Sequence, residues 1–154
     1  MEILIRKANI DDFESINEIA IQEQDLHVEL RPDLYRHSDT VITSEWFNEL
    51  LDNGIFLVGE INKKIISYAI CFIRKWNDPL IISKKTMFVK SIANDKNYIG
   101  LGIGKQMMKY IMEQAKEEKC DVIELQVNSR NKNAIGFYEH LGMKEKSKIM
   151  ELDL

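Results

Sequence analysis

The run Tyr98-Ile99-Gly100-Leu101-Gly102-Ile103-Gly104-Lys105 constrains this chain more than any other stretch. Its three glycines stand at alternate positions between a β-branched, extended-looking run, Met87 to Ala93, and a long helical pattern, Ile103 to Lys119. A strand that turns through bare backbone into a helix start presents unblocked N–H groups and the positive end of the helix dipole. That combination binds phosphate. The same glycines also suit a tight turn that only packs the helix on a sheet, and spacing alone does not separate the two readings.

Two phosphate motifs can be tested directly. A Walker loop ending at Gly104-Lys105 needs glycine at 99 and Ser or Thr at 106, where the chain has Ile99 and Gln106. The hydroxyl that would hold magnesium is missing, which disfavours triphosphate hydrolysis. A dinucleotide fingerprint belongs on the first strand of its domain, with an acid about 20 residues later. Here the third glycine comes one place early, other strands precede it, and that acid falls in the next strand, at Glu124.

The chain of 154 residues has the length of one ordinary domain, so a single domain spanning 1–154 is expected. Its 45% hydrophobic and 30% charged content is that of a soluble globular protein. Formal net charge is −4, and no block of Lys or Arg exceeds two residues, so nucleic acid is not expected as a partner. The stretch Met1 to Arg6 has no charged leader followed by an apolar run, and no segment approaches a membrane span. A cytoplasmic protein without a membrane partner is expected. Cys71 and Cys120 lie in strand-like apolar surroundings, which favours two free thiols over a bridge. Three scattered histidines without ligand spacing point to no metal.

Ile3 and Ile5 alternate as a first strand, and Phe13, Ile16, Ile19 and Ala20 recur at helical spacing. From Gln22 to Thr43 the pattern fails and reads as loop with at most one helical turn. Thr43 or Ser44 caps a short helix that Asn53-Gly54 stops. Ile55 to Glu60 and Ile65 to Ile73, joined by Asn62-Lys63-Lys64, form a hairpin. Met87 to Ala93 is the next strand, followed by the glycine loop and its helix. Val122 to Val127, a short helix Asn133 to His140, and a closing edge strand Lys146 to Leu152 complete the order β-α-α-β-β-β-α-β-α-β. Hairpins first and helical crossovers later predict a mixed, mostly antiparallel sheet of six or seven strands flanked by about four helices. The closing strand offers an edge on which a homodimer could pair.

Ser91 to Gly104 resembles the acetyl-CoA-binding motif of the GNAT N-acetyltransferase superfamily, a strand, then Arg/Gln-x-x-Gly-x-Gly/Ala, then a helix. Asn131-Lys132-Asn133-Ala134-Ile135-Gly136-Phe137-Tyr138-Glu139-His140-Leu141-Gly142-Met143 is similar to that family's second signature, Asn-x-x-Ala-x-x-Phe-Tyr closing on Leu-Gly-Phe. The order of elements matches the family's fold as well. The motifs cover about 50 residues, and the element order covers the whole chain.

The resemblance implies a transferase that moves an acetyl group from acetyl-CoA, its co-substrate, to a primary amine by direct attack in a ternary complex. The alternative is a CoA-binding regulatory domain without catalysis. Amides from Ile99, Gly100, Leu101, Gly102, Ile103, Gly104 and Lys105 would hold the pyrophosphate, because side chains there would keep the phosphates away. Main-chain groups of Ile92, Ala93 and Asn94 would bind the pantetheine arm as an added strand. Tyr138 would face the thioester sulfur as the catalytic acid or hydrogen-bond donor, and Asn131 would contact the pantetheine or its phosphate. Two departures stand out. Ile99 replaces the usual Arg or Gln, and Ser91 occupies the fourth-strand position where many members carry a carboxylate. A base is therefore expected from His27, Glu29 or Glu60 through water, or from bulk water. The family's acceptor groove maps onto Gln24 to Thr43, with His27, Glu29, Arg31 and Tyr35 as candidate contacts to an amine-bearing acceptor.

Overall fold

The computed structural model describes residues 2–154. The chain runs β1 (Leu4–Lys7), α1 (Phe13–Leu30), α2 (Ser44–Asn53), β2 (Ile55–Ile61), β3 (Lys64–Lys75), β4 (Lys85–Asn94), α3 (Ile103–Glu117), β5 (Val122–Leu125) and α4 (Lys132–His140). The strands form one sheet in the order β1-β2-β3-β4-β5. Neighbours are antiparallel up to β4, and β4 and β5 are parallel because α3 connects them.

Alternation along the central strands builds two apolar layers. Phe56, Val58, Tyr68 and Ile70 face Ile16, Ile19 and Ala20 of α1 and Phe47 and Leu50 of α2. Leu57, Ala69, Cys71, Met87 and Val89 face Met107, Met108, Ile111 and Ala115 of α3, with Phe137 and Tyr138 of α4 packed beside them. Helices therefore cover both faces of the sheet. Tyr68, Leu57, Ile70 and Met107 are among the most completely buried side chains, each contributing about 1.5–3 kcal/mol.

Two sequence expectations need correction. The sheet has five strands among the described residues, and Lys146 to Leu152 is not a strand. The segment alternates, yet Ile149, Met150 and Leu152 are exposed, so no apolar face is there to receive them. Among the described residues, ion pairs tie it down, through Lys146 on Glu124 and Glu151 on Arg31. The second correction concerns the supposed loop after Gln22. Helix α1 continues to Leu30, so His27 and Glu29 are helical. It stops where Pro32 forces Arg31 out of helical geometry, at φ −141°. The true loop, residues 31–43, is held to α1 by buried Asn17. Its amide donates to the Ile42 carbonyl at 2.7 Å and accepts from the N–H groups of Val41 and Ile42, each at 3.1 Å.

Candidate active site

The site begins where β4 and β5 part. Their ladder runs from Thr86/Val122 to Val89/Leu125 and stops. On the other side of β4 the register to β3 shifts between Ile70/Ser91 and Cys71/Val89, which leaves Lys90 as a bulge. Beyond Val89, β4 is therefore held by β3 alone. Backbone direction alternates along that free length. The Asp95 N–H donates to the Ile66 carbonyl at 2.8 Å, and the Ala93 carbonyl accepts from the Ser67 hydroxyl at 3.0 Å. Residues 93 and 95 thus face β3, and the main-chain groups of Ile92 and Asn94 face the gap that β5 leaves.

At the end of β4, Asp95 accepts from the Asn97 N–H at 3.0 Å and starts one tight helical turn, residues 96–98. Gly100 and Gly102 follow with φ of 82° and 76°, a region costly for any other residue. A Cβ built on either would meet nothing within 4 Å, so both border open space. Gly102 opens α3 with no side-chain cap, and the first turn of amides has no partner inside the helix. Gly104 is different. A Cβ there would come within 3.3 Å of the Asn94 amide nitrogen and 3.4 Å of the Phe137 ring, so glycine lets α3 close on β4 and α4. The Asn94 Oδ1 is buried without a hydrogen-bond partner. Uncapped amides, open glycines and an orphaned acceptor at the edge of one gap suit a ligand with phosphate at one end and amide donors along its length. Ile99, just before the glycines, is 72% exposed.

Across the sheet lies a group the sequence did not single out. Glu23 projects from α1 onto β3 and β4. Its Oε2 accepts from the Tyr68 hydroxyl at 2.5 Å and from Ser91 Oγ at 2.7 Å, and Ser91 also stands 2.9 Å from Oε1. One turn later His27 Nε2 is 3.9 Å from Oε1, beyond hydrogen-bond reach, and the His27 ring stacks on Tyr35 at 5.0 Å. A signal for Glu23 was present. The buried stripe Ile16, Ile19, Ala20 continues at helical spacing to positions 23 and 27, where a carboxylate and an imidazole replace apolar side chains.

Burial pushes the Tyr138 phenol up to about 12, and the Glu23 charge adds to the effect. Burial likewise pushes Tyr68 well above its ordinary value, with the charge and hydrogen bond of Glu23 reinforcing it and Ser91 opposing. Both phenols are thus committed hydrogen donors at neutral pH. Tyr138 belongs to the α3/α4 layer and Glu23 to the α1 layer, and the Glu23 charge still reaches the phenol.

The other sequence candidates divide plainly. Asn131 caps α4, accepting from the Ala134 N–H at 3.0 Å. Arg31 is engaged by Asp33 and Glu151, both at 2.7 Å, and Glu29 sits on the exposed face of α1. Glu60 is held by Arg6 at 3.0 Å. None of these three joins the Glu23 cluster. Cys71 is a buried free thiol that burial pushes up to about 12, and Cys120, half-buried, is also free. A shallow concavity of about 360 Å³ lies between the starts of α1 and α2, lined by Ile10, Phe13 and Phe47, but it carries none of this chemistry.

The acetyltransferase (GNAT) family model matches residues 16–143. This chain belongs to that family. Among relatives of the GNAT chain, an uncharacterized N-acetyltransferase of Methanocaldococcus jannaschii is 30% identical over 105 residues, 68% of this chain. That alignment spans 45%, less than half, of the relative's own length. A mutant of the BH1408 protein from Bacillus halodurans superposes with a TM-score of 0.94 at 28% identity, covering 98% of this chain and 99% of that one. The fold is also that of an aminoglycoside N-acetyltransferase, AAC(6')-Iy, solved in complex with CoA, at a TM-score of 0.73, 15% identity and 98% coverage of each chain. No described helix of this GNAT chain is long and apolar enough to cross a membrane.

Proposed function

We propose that residues 1–154 form one acyltransferase domain that moves an acetyl group from acetyl-CoA to a primary amine, by direct attack with both substrates bound. The observation that carries this reading is the gap between β4 and β5. It ends at the uncapped start of α3 and holds the unpartnered Asn94 Oδ1. Acetyl-CoA would supply the acyl group as an activated thioester.

The chain's own groups then divide the work. N–H groups from Gly100 to Lys105 hold the pyrophosphate, helped by the helix dipole. Ile92 and Asn94 offer main-chain donors and acceptors to the pantetheine amides, as one β-strand does to another. The Ile92 N–H would donate to the thioester oxygen as it gathers negative charge, a contribution of about 3 kcal/mol where such a donor is preorganised. Asn131 keeps its capping role and borders the same mouth.

Tyr138 donates a hydrogen bond to the departing sulfur. Full proton transfer is a poor role for it. A phenol near 12 giving its proton to a thiolate near 8.5 climbs about 5 kcal/mol. The proton that finally reaches sulfur therefore comes from the amine nitrogen after the new bond forms. No cysteine nucleophile enters: Cys71 is buried in the sheet with its thiol held protonated, and Cys120, its thiol also raised by burial, lies beyond the far end of α3.

Calorimetric titration with acetyl-CoA, followed by a thiol-release screen across small amines and peptide N-termini, tests the reading. Micromolar binding with thiol release dependent on one class of amine is the expected result. Tight binding without turnover on any amine would instead favour a regulatory CoA-binding domain.

A further inference from the structure

We propose that Glu23 receives the acceptor as an ammonium ion and takes its proton, which makes a primary amine that arrives charged the substrate class of this site. The inference rests on the acetyltransferase reading above and adds the residue that selects and activates the acceptor.

Strand β4, Lys85–Asn94, contains no Asp or Glu, so the strand that lines the gap brings no base of its own. Glu23 reaches the same place from α1, seated on Ser91, the neighbour of Ile92. Its side chain is 22% exposed, partly withdrawn from water yet not sealed from it. Among the described residues no Lys or Arg pairs with it, and the nearest basic group is the His27 ring at 3.9 Å. A carboxylate held this way is costly unless a cation completes it. Its bonding is also unfinished. A carboxylate has about four lone-pair positions. Tyr68 fills one, and Ser91, whose single proton is shared between Glu23 and the Tyr68 oxygen at 3.1 Å, fills at most one more. About two positions remain for the N–H groups of an incoming ammonium. His27 and Tyr35, stacked on each other, stand beside this opening, and the buried His27 Nδ1 has no partner.

The two hydroxyls have a second consequence. Both are donors, so they fix the Glu23 carboxylate on β3 and β4 by hydrogen bonds alone. Glu23 reaches β4 at Ser91 from the α1 face, and Tyr138 packs with α3 on the opposite face of the sheet.

The step balances. R–NH3⁺ passes one proton by way of the Glu23 carboxylate to water, which at neutral pH leaves about one amine in 10³ of pKa about 10 with a free nitrogen lone pair. That pair forms the C–N bond to the thioester carbonyl as the C–S bond breaks, and sulfur departs with its electrons toward the Tyr138 hydroxyl. A second proton, lost from the new amide nitrogen, ends on sulfur. The proton on Glu23 returns to water through the exposed edge of its side chain, so each turnover releases one proton.

The test compares wild type with Glu23→Gln and Glu23→Asp on two amines of similar size, one of pKa about 10 and one of pKa about 6, at neutral pH. The first arrives almost wholly charged and the second mostly as free base. Glu23→Gln should lower kcat/KM at least about 100-fold for the basic amine and less than about fivefold for the weak one. Acetyl-CoA affinity should stay unchanged. Glu23→Asp, which keeps the charge on a shorter arm, should retain the wild-type preference for the basic amine at a reduced rate. Equal losses on both amines in Glu23→Gln, or an Asp variant that behaves like Gln, would reduce Glu23 to a structural tie between α1 and the sheet and overturn the proposal. Wild type that fails to bind acetyl-CoA would overturn the underlying reading instead, and the titration reports that separately.

Discussion

Tyr138 sits half-buried beside a carboxylate it does not touch, and both circumstances hold its proton in place until pH approaches about 12. Its donating form therefore exists across any practical assay range, and the rate should show no alkaline loss from this group below about pH 11. Tyr138→Phe removes a hydrogen bond to developing charge, worth about 1.5–3 kcal/mol, so kcat should fall about 10- to 100-fold. The dissociation constant for acetyl-CoA should move less than about threefold, and equal turnover would remove Tyr138 from the mechanism. Residues of this kind were legible because their identity is tied to a local demand. Gly100 and Gly102 hold positive φ, and Asn131 caps a helix. Glu23 was not legible in that way. It is one acid among several on α1, and what distinguishes it is contact with Tyr68 and Ser91, which lie far along the chain.

At the scale of elements, the departure in α1 has a physical cause. A helix is recognised by an apolar stripe, and this one turns polar where it enters the site, so the pattern stops before the helix does. Helices α2 and α4 follow their caps: Thr43 accepts from the Trp46 N–H at 3.2 Å, and Asn131 serves α4. The connection from α1 to α2 depends on Asn17, which satisfies three main-chain groups of the loop from inside the core. Asn17→Leu keeps most of the volume and strands those groups. It should destabilise the protein by about 2–3 kcal/mol and lower Tm by about 5–10 °C in a calorimetric scan. The acceptor side should suffer first, because Tyr35 lies on that same loop.

For the whole molecule, the alternating segment Lys146 to Leu152 departs furthest from its pattern, because it pairs with no strand. Alternation predicts a strand only when a sheet edge and an apolar layer await it, and β5, with four residues, offers little of either. Residues 145–154 lie outside the ladder, attached by surface ion pairs such as Arg31–Glu151. Exposed pairs contribute at most about 1 kcal/mol each. A chain ending at Lys144 should consequently melt within about 4 °C of the full chain, with an unchanged cooperative transition by circular dichroism. The two-layer arrangement has another outcome. Glu23 is delivered by the first long helix and Tyr138 by the last, and the sheet must be threaded between them before they share a space. Such distant partners meet late, after the entropy of closing a very long loop has been overcome. A nascent chain still lacking its final helix can carry every hairpin and still be chemically inert, so catalysis arrives only once synthesis has passed that helix.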